Sequence, residues 1–570
     1  MERGALVRVG RHHPGPVGLP TLAATAALVA AVANIASAVT PDVPARARLL
    51  LRLEPVVVPP LAHAAALLVG CALAVIGFYL LKRRRRAMQA ALALLVLAGF
   101  LDVVKGLDIE EAALSWGCAG LLWWGRAAFC VGHDPLRRLV RLWIVPALWC
   151  VALSLAMLML WGSTRASVPD VAHETAALLV WSHGPVPLAE DVRWAPFGLG
   201  ALSLSALIAS AAVFFRPLAA SRHPSGDEAR RAAFRLVREH GRDTLAFFKL
   251  RRDTTLFFAG DKRAFVAYKL SGRTLLVSGD PVGDGESLPS LLAELCSFAE
   301  RRGLAVGAVG AGESLLPLYR RAGLRALYIG DEAVVDTSGF TLEGREIRKV
   351  RQSVNRLAAA GFSAELCSVA DLDPATLEQM ERVSIAWRAG AAERGFAMAM
   401  DSLVCAHHRD TVVVVARDRC GAVRGYLHLV PTYGRNAMSL SRMRRDRETP
   451  NGLMEFLVVR AIEELRRRGV EELSLNFAAF ARWLHAPRNR AERQLGRVAA
   501  VGNSAFQIES LYRFTAKFTP RWEPRYLLYG RAVDLPRVGL AAMRVEGQLP
   551  LLSNISRPHF ESPRRAEANP

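Results

Sequence analysis

Four arginines fall within seven positions in Ser441-Arg442-Met443-Arg444-Arg445-Asp446-Arg447, a strand-like stretch followed by Pro450-Asn451-Gly452, which opens a helix. Guanidiniums beside a helix N-terminus make an anion site, because the first amides have no intrahelical partner and the dipole adds partial positive charge. Glu455 falls in the first turn of that helix, where the dipole favours a carboxylate. Beside a reacting hydroxyl, the same group would serve as a general base or hold an amine. Further on, Arg513 and Lys517 are four apart and share a helix face. Arg521, Trp522 and Arg525 follow in the run Lys-Phe-x-Pro-Arg-Trp-x-Pro-Arg-Tyr. A third cationic element comes after Thr341: Arg345, Lys349, Gln352 and Arg356 line one stripe, with Arg348 and Arg351 beside them, and Ile347, Val350, Val354 and Leu357 form the apolar stripe. That pattern gives either an ordinary solvated basic face or a rail for anionic headgroups or RNA phosphates.

Other chemistries find no support. Gly307, Gly310 and Gly312 precede no Gly-Lys-Ser/Thr, so they read as a strand-to-helix turn and not a phosphate loop. His407-His408 lacks metal-ligand spacing, no Ser-His-Asp arrangement stands out, and the eight cysteines include no CxxC.

The elements that must position these residues divide the chain. Mean hydropathy is +0.20, yet charged residues make up 22% and the net charge is +21. A split near Arg216 reconciles the figures: residues 1–215 carry 18 Lys+Arg and 12 Asp+Glu, and the remainder carries 55 and 40, a net of about +15. The first part holds six apolar stretches, about 17–39, 56–81, 88–104, 112–131, 140–162 and 195–215, each near the roughly 20 residues a bilayer-spanning helix needs. Lys82 to Arg86, Arg137, Arg138, Arg141, Arg216 and Arg222 all fall on one side of six spans. The positive-inside rule therefore predicts both termini in the cytosol. Asp102 and Arg126 are the charges read inside spans.

From about 232 the pattern turns mixed α/β. Strands are predicted at Thr255–Phe258, Ala264–Lys269, Thr274–Ser278, Ala305–Val309 and Leu324–Ile329, with helices at Leu288–Arg302 and Glu313–Arg321. The theme repeats with strands at Val412–Ala416, Val423–Val430, Ala437–Met443 and Glu472–Phe477 and a helix at Gly452–Arg468. A capping box at Ser504 and Gln507 then opens a helix at Ala505–Phe518, and a strand follows at Tyr526–Tyr529. The fold class expected is an N-terminal α-helical membrane bundle plus a cytosolic α/β tandem GNAT-like acyltransferase domain, divided as 1–215, 216–341, 342–540 and a flexible tail at 541–570. GNAT enzymes cradle the coenzyme A pyrophosphate on an Arg/Gln-x-x-Gly-x-Gly loop. Here that loop is Arg-rich, so coenzyme A is not expected.

At these residues the chain resembles the aminoacyl-phosphatidylglycerol synthases, the phosphatidylglycerol lysyltransferases of the multiple peptide resistance factor family, in their actinobacterial form. The likeness covers roughly 236–530. It is carried by Gly279-Asp280-Pro281-Val282-Gly283; Val350-Arg351-Gln352-Ser353-Val354-Asn355-Arg356; Ser384 with Trp387, Glu393, Gly395 and Phe396; Ser439–Arg445; Asn451-Gly452-Leu453-Met454-Glu455-Phe456; and Leu511-Tyr512-Arg513-Phe514 through Lys517-Phe518 to Pro524-Arg525-Tyr526. The resemblance implies transfer of an aminoacyl group, with lysyl the leading expectation, from aminoacyl-tRNA to the glycerol hydroxyl of phosphatidylglycerol at the inner leaflet of the plasma membrane. The consequence would be a less negative membrane and tolerance of cationic peptides. Ester is exchanged for ester, so no cofactor or metal is implied; the partners are tRNA, phosphatidylglycerol and the bilayer. By motif match, Arg444 and Lys517 contact phosphate or the oxyanion and Glu455 orients the amine or takes a proton. Ser441, Arg521, Arg525, Arg513, Arg351 and Arg356 bind substrate. The chain departs from the family where Asp-x-Met-Arg is expected and Ser441-Arg442-Met443-Arg444 stands. Two other readings fit the residues: a GNAT-like aminoacyltransferase with another acceptor, and a non-catalytic membrane tether that binds lipid or RNA.

Overall fold

The computed structural model describes residues 18–39, 58–106, 108–132, 138–161, 167–179, 195–215, 225–390, 395–404, 408–479 and 508–548. The chain forms two compact units, one chiefly of residues 1–220 and one chiefly of 221–570.

The regular elements among the described residues of the first unit are helices: α1 (Leu19–Val39), α2 (Val58–Leu80), α3 (Arg85–Gly106), α4 (Ile109–Trp124), α5 (Arg138–Trp161), α6 (Val168–Leu179) and α7 (Ala195–Phe214). Among the described residues three helices are long and apolar enough to cross a bilayer, at Pro20–Ser37, Arg85–Val104 and Ala195–Phe214. Shorter apolar stretches lie at Ala65–Leu80 and Pro146–Leu158. α6 occupies part of the 163–194 segment in which no element was predicted. Small residues such as Ala24, Ala27, Ala31, Ala91 and Ala98 line the bundle core and let the helices approach closely. Asp102 is buried and accepts from Ser115 Oγ at 3.4 Å, and Asn34 Nδ2 reaches Ser115 at 3.3 Å, so a polar line links α1, α3 and α4. Arg126 is not part of it. It stands exposed in a short 3-10 turn beyond α4, with its guanidinium over the Trp123 ring.

The second unit is built on one sheet of twelve strands. Its elements are α8 (Asp227–His240), β1 (Thr255–Phe258), β2 (Ala264–Ser271), β3 (Thr274–Ser278), β4 (Val282–Gly283), α9 (Leu288–Arg301), β5 (Ala305–Gly312), α10 (Leu316–Arg321), β6 (Arg325–Asp336), α11 (Arg348–Ala359), β7 (Ser363–Ser368), α12 (Pro374–Arg388), β8 (Val412–Arg417), β9 (Val423–Thr432), β10 (Ala437–Arg445), α13 (Leu453–Arg467), β11 (Glu472–Ala479), α14 (Ile508–Ala516), β12 (Arg521–Tyr529) and α15 (Leu535–Val545). The strand order is β1-β2-β3-β5-β12-β6-β11-β10-β9-β8-β7, with β4 on β2.

Outward from the central β12/β6 pair, the two halves match. Each has one parallel step, β3 with β5 and β10 with β11, among antiparallel neighbours. Each half also completes itself with a strand from elsewhere in the chain: β12 pairs with β5, and β6 pairs with β11. β3 is buried throughout, as a strand covered on both faces must be. α12 begins as its sequence dictates, with Asp373 capping Thr376 N at 2.9 Å and Pro374 at the first helical position, where its missing N–H costs nothing. The segment after 540, expected as a loose tail, starts in order. α15 runs to Val545 and packs Val538, Ala541 and Ala542 inward, and the Glu546 carboxylate accepts from Phe396 N and Ala397 N. Residues 549–570 lie outside the described set, as do Glu393, His407 and the capping box at Ser504 and Gln507.

Candidate active site

β10 and β11 are hydrogen-bonded only over Ala437–Ser439 against Glu472–Ser474, and beyond this they part. Asn476 stands at the fork with φ 73°, donating from Nδ2 to Leu440 O at 3.1 Å and to Met398 O at 2.7 Å. Its amide thus fills in for the missing ladder bond and holds the fork open. Arg444 and Arg445 end β10 at this opening, and α13 starts just after it.

The start of α13 is fixed by close approach. Gly452 caps the helix at φ +98°, and a Cβ there would meet the Ser353 side chain of α11 at 2.7 Å. Only glycine satisfies both conditions. Arg356 of α11 donates to Asn451 O, so two motifs nearly 100 residues apart in sequence meet here. Glu455, one turn into α13, accepts from Lys517 Nζ at 2.6 Å, and their side chains are 14% and 37% exposed. Arg513 is exposed one turn before Lys517 on α14, and Arg351 is tied back to Leu342 O at 2.6 Å.

Arg444 belongs to the other face of β10. It lies opposite Tyr426 of β9, and Tyr426 packs with Met380 and Val383 of α12, whereas Met443 packs into the core shared by α11 and α13. The residues read as one triad therefore come as the pair Glu455–Lys517 and, across the strand, Arg444 over Tyr426. Ser441 and Arg442 clamp the 395–401 segment: Ser441 Oγ accepts from Met400 N at 3.0 Å, and Arg442 Nη2 donates to Met400 O at 3.1 Å. Arg251 holds the same segment at Gly395 O and Ala399 O. Where the family pattern would have a carboxylate, this chain thus has a hydroxyl spent on a backbone amide. His428 lies opposite Arg442, fully buried, and burial together with that guanidinium pushes its imidazole down to about 3.

The corresponding end of the parallel step in the first half opens onto a cavity of about 950 Å³, lined by residues including Asp243, Asp280, Gly312, Arg435, Glu523 and Arg525. Arg525 is buried on its floor, donating from Nε to Glu332 at 2.8 Å and from Nη2 to Asp243 at 2.7 Å. Asp280 accepts from Gly312 N and from Tyr319 Oη at 2.6 Å. Burial, reinforced by the Asp243 carboxylate, pushes Asp280 up to about 6. Burial acts on Asp243 in the same sense, but Arg525 and Lys249 outweigh it and hold that carboxyl below the ordinary range. Arg521, at the start of β12, is bonded to Glu472 at 2.6 Å and Glu523 at 2.9 Å, and Arg435 pairs with the same two carboxylates.

Sequence reasoning missed Asn476, Tyr426, His428 and, in the buried cluster, the carboxylates Asp243 and Glu332 that hold Arg525. Two signals were present: an asparagine within an alternating strand and a histidine within Leu427-His428-Leu429, each out of place by strand propensity.

Residues 234–529 match the family of phosphatidylglycerol lysyltransferase C-terminal domains. The chain belongs to that family. It is 36% identical over 362 residues to the lysylphosphatidylglycerol biosynthesis bifunctional protein LysX of Gordonia bronchialis, covering 62% of this chain and 32% of that protein. For LysX of Nocardia farcinica the identity is 37% over 364 residues, with the same coverage. The match thus spans about a third of the length of these curated relatives. The second unit also shares the fold of L-PGS from Bacillus licheniformis, with a TM-score of 0.52 at 22% identity over 58% of this chain and 99% of that one.

Proposed function

We propose that this phosphatidylglycerol lysyltransferase family member transfers a lysyl group from aminoacyl-tRNA to phosphatidylglycerol at the inner leaflet, with the first unit crossing the plasma membrane six times and the second unit in the cytosol. The observation that carries the reading is the Glu455–Lys517 pair, which unites two family motifs 62 positions apart at the start of α13. The lipid's glycerol oxygen attacks the ester carbonyl carbon of the aminoacyl group. A new carbon–oxygen bond forms to the lipid, the bond to the tRNA ribose breaks, and the lipid hydroxyl proton ends on the ribose oxygen. Glu455 accepts that proton and returns it; Lys517, its partner, keeps the carboxylate oriented and faces the developing oxyanion. Arg444, across β10, and Arg356, Arg351 and Arg513 meet phosphate charge, and Arg521 and Arg525 brace the strand that follows Lys517. The aminoacyl ester of the tRNA is itself the activated donor, so the reaction needs positioning and charge stabilisation and no external energy source.

Lipid extracts of cells expressing the chain test this. A new cationic, ninhydrin-reactive phospholipid is expected, and it should fall by at least about a hundredfold with Glu455→Gln and vanish with Lys517→Ala or Arg444→Ala. An unchanged lipid profile with intact RNA binding would favour a tether instead.

A further inference from the structure

α11 breaks a local rule. No acidic residue lies in its first turn, while Arg348 and Lys349 do, with Arg345 just before them. Cations at a helix N-terminus oppose the dipole and cost about 0.3–1 kcal/mol each, and carboxylates are the residues that belong there. Glu343 and Glu346 precede the helix and are exposed, but they do not pair with these cations: Arg345, Arg348 and Lys349 are exposed, and among the described residues none makes an ion pair. In the same unit Arg382 pairs with Glu378 and Arg467 with Glu464, and the exposed Arg320 and Arg321 sit in the last turn of α10, where the dipole favours a cation. A rule broken without local gain marks a surface shaped for something else.

The direction of the stripe says what that is. Arg345 lies just before α11, Lys349 and Arg356 continue along its solvent side, and Arg348 to Arg356 spans about 12 Å of helix. The line ends where Arg356 meets Asn451 and Gly452 touches Ser353, one turn from Glu455 and Lys517. The apolar side of α11 is spent in the core on Val350, Val354 and Leu357. No large hydrophobic residue of α11 is exposed, so the helix has nothing to insert into a bilayer. A line of unpaired cations without an apolar flank fits the phosphates of a nucleic acid strand more closely than a lipid surface.

We infer that the exposed edge of α11, from Arg345 through Arg348 and Lys349, is the docking rail for the RNA backbone, which it leads along α11 to the Glu455–Lys517 pair. The inference rests on the proposed transfer from tRNA and adds where the RNA lies. It is tested with the full chain in detergent–lipid micelles and uncharged tRNA as the probe. The charge-reversal variant Arg345→Glu/Arg348→Glu/Lys349→Glu is compared with Arg320→Glu, an exposed cation on α10. The expected result is at least tenfold weaker tRNA binding for the triple variant alone, with the slope of log affinity against log salt falling by about 0.7–0.9 for each phosphate the variant no longer neutralises. The KM for charged tRNA should rise while that for phosphatidylglycerol stays. Unchanged tRNA affinity and salt slope would overturn the rail, as would a raised KM for phosphatidylglycerol with tRNA binding intact, which would make α11 a lipid face. Binding needs no turnover. Loss of tRNA binding in the triple variant of a chain that transfers nothing would sink the transfer reading and keep the rail; transfer with rail-independent binding would do the reverse.

Discussion

Asp280 carries a titration that can be read without assigning it a reaction. Its folded-state value of about 6 lies above the ordinary carboxyl value of 3.8, so between those limits the folded state binds the extra proton. Its contribution to stability is therefore full below about pH 4 and declines as pH rises to about 6. In Asp280→Asn that decline disappears, since the amide stays neutral at every pH and still accepts from Gly312 N. Thermal melts of the full chain from pH 4 to 7.5 should show the melting temperature of wild type falling relative to the variant as pH rises. A constant difference across the range would mean that Asp280 is ionised throughout. His428 has the opposite sense and stays neutral above about pH 3, so it adds no charge beside Arg442 near neutrality.

At the scale of elements, the entry into α13 is the joint that sets Glu455. Gly452→Ala has to hold φ +98° and place a methyl 2.7 Å from Ser353. The left-handed strain alone is about 1 kcal/mol or more, and α13 must shift away from α11. Transfer should drop at least tenfold, while Gly272→Ala, at φ +58° with open space around it, should lose stability through the same strain and keep its turnover. Equal turnover in the two variants would show that the packing of α13 on α11 does not position Glu455. Most elements were legible because each owns a clear period. Strands β1, β3 and β10 and helices α9 and α13 fall within a residue or two of the alternation and amphipathic patterns that predicted them. β7 and α12 were not found: Ser363-Ala364-Glu365-Leu366-Cys367-Ser368 buries little beyond Leu366, and α12 mixes its polar and apolar positions. The pairing of Glu455 with Lys517 was foreshadowed only as two motifs, because their meeting depends on how α14 returns to the sheet.

At the scale of the molecule, what sequence could not reveal is the exchange of central strands. Two successive α/β patterns suggest two separate sheets. The chain instead threads β12 between β5 and β6, joining the halves into one. The join is closed by charge: Glu332 of β6 accepts from Arg525 of β12 and from Ser474 of β11, and both charged side chains are nearly inaccessible. Removing one partner of such a pair leaves an uncompensated buried charge and costs about 3–5 kcal/mol, whereas removing both costs much less. Arg525→Met should therefore destabilise the second unit strongly in thermal melts, and Glu332→Gln/Arg525→Met should recover part of the loss, the rest staying with Asp243, which keeps Lys249 but loses Arg525. A double variant no better than the single would mean that the seam is held by strand pairing alone.

Purified full-length chain in micelles of phosphatidylglycerol, given individually charged tRNAs with radiolabelled amino acid, tests the central claim most directly. The account predicts label in a lipid product with lysyl-tRNA, without added nucleotide triphosphate, metal or coenzyme A, and label at least about a hundredfold lower with Glu455→Gln. Label that stays on the tRNA for every amino acid, or a lipid product formed undiminished by Glu455→Gln, would contradict it.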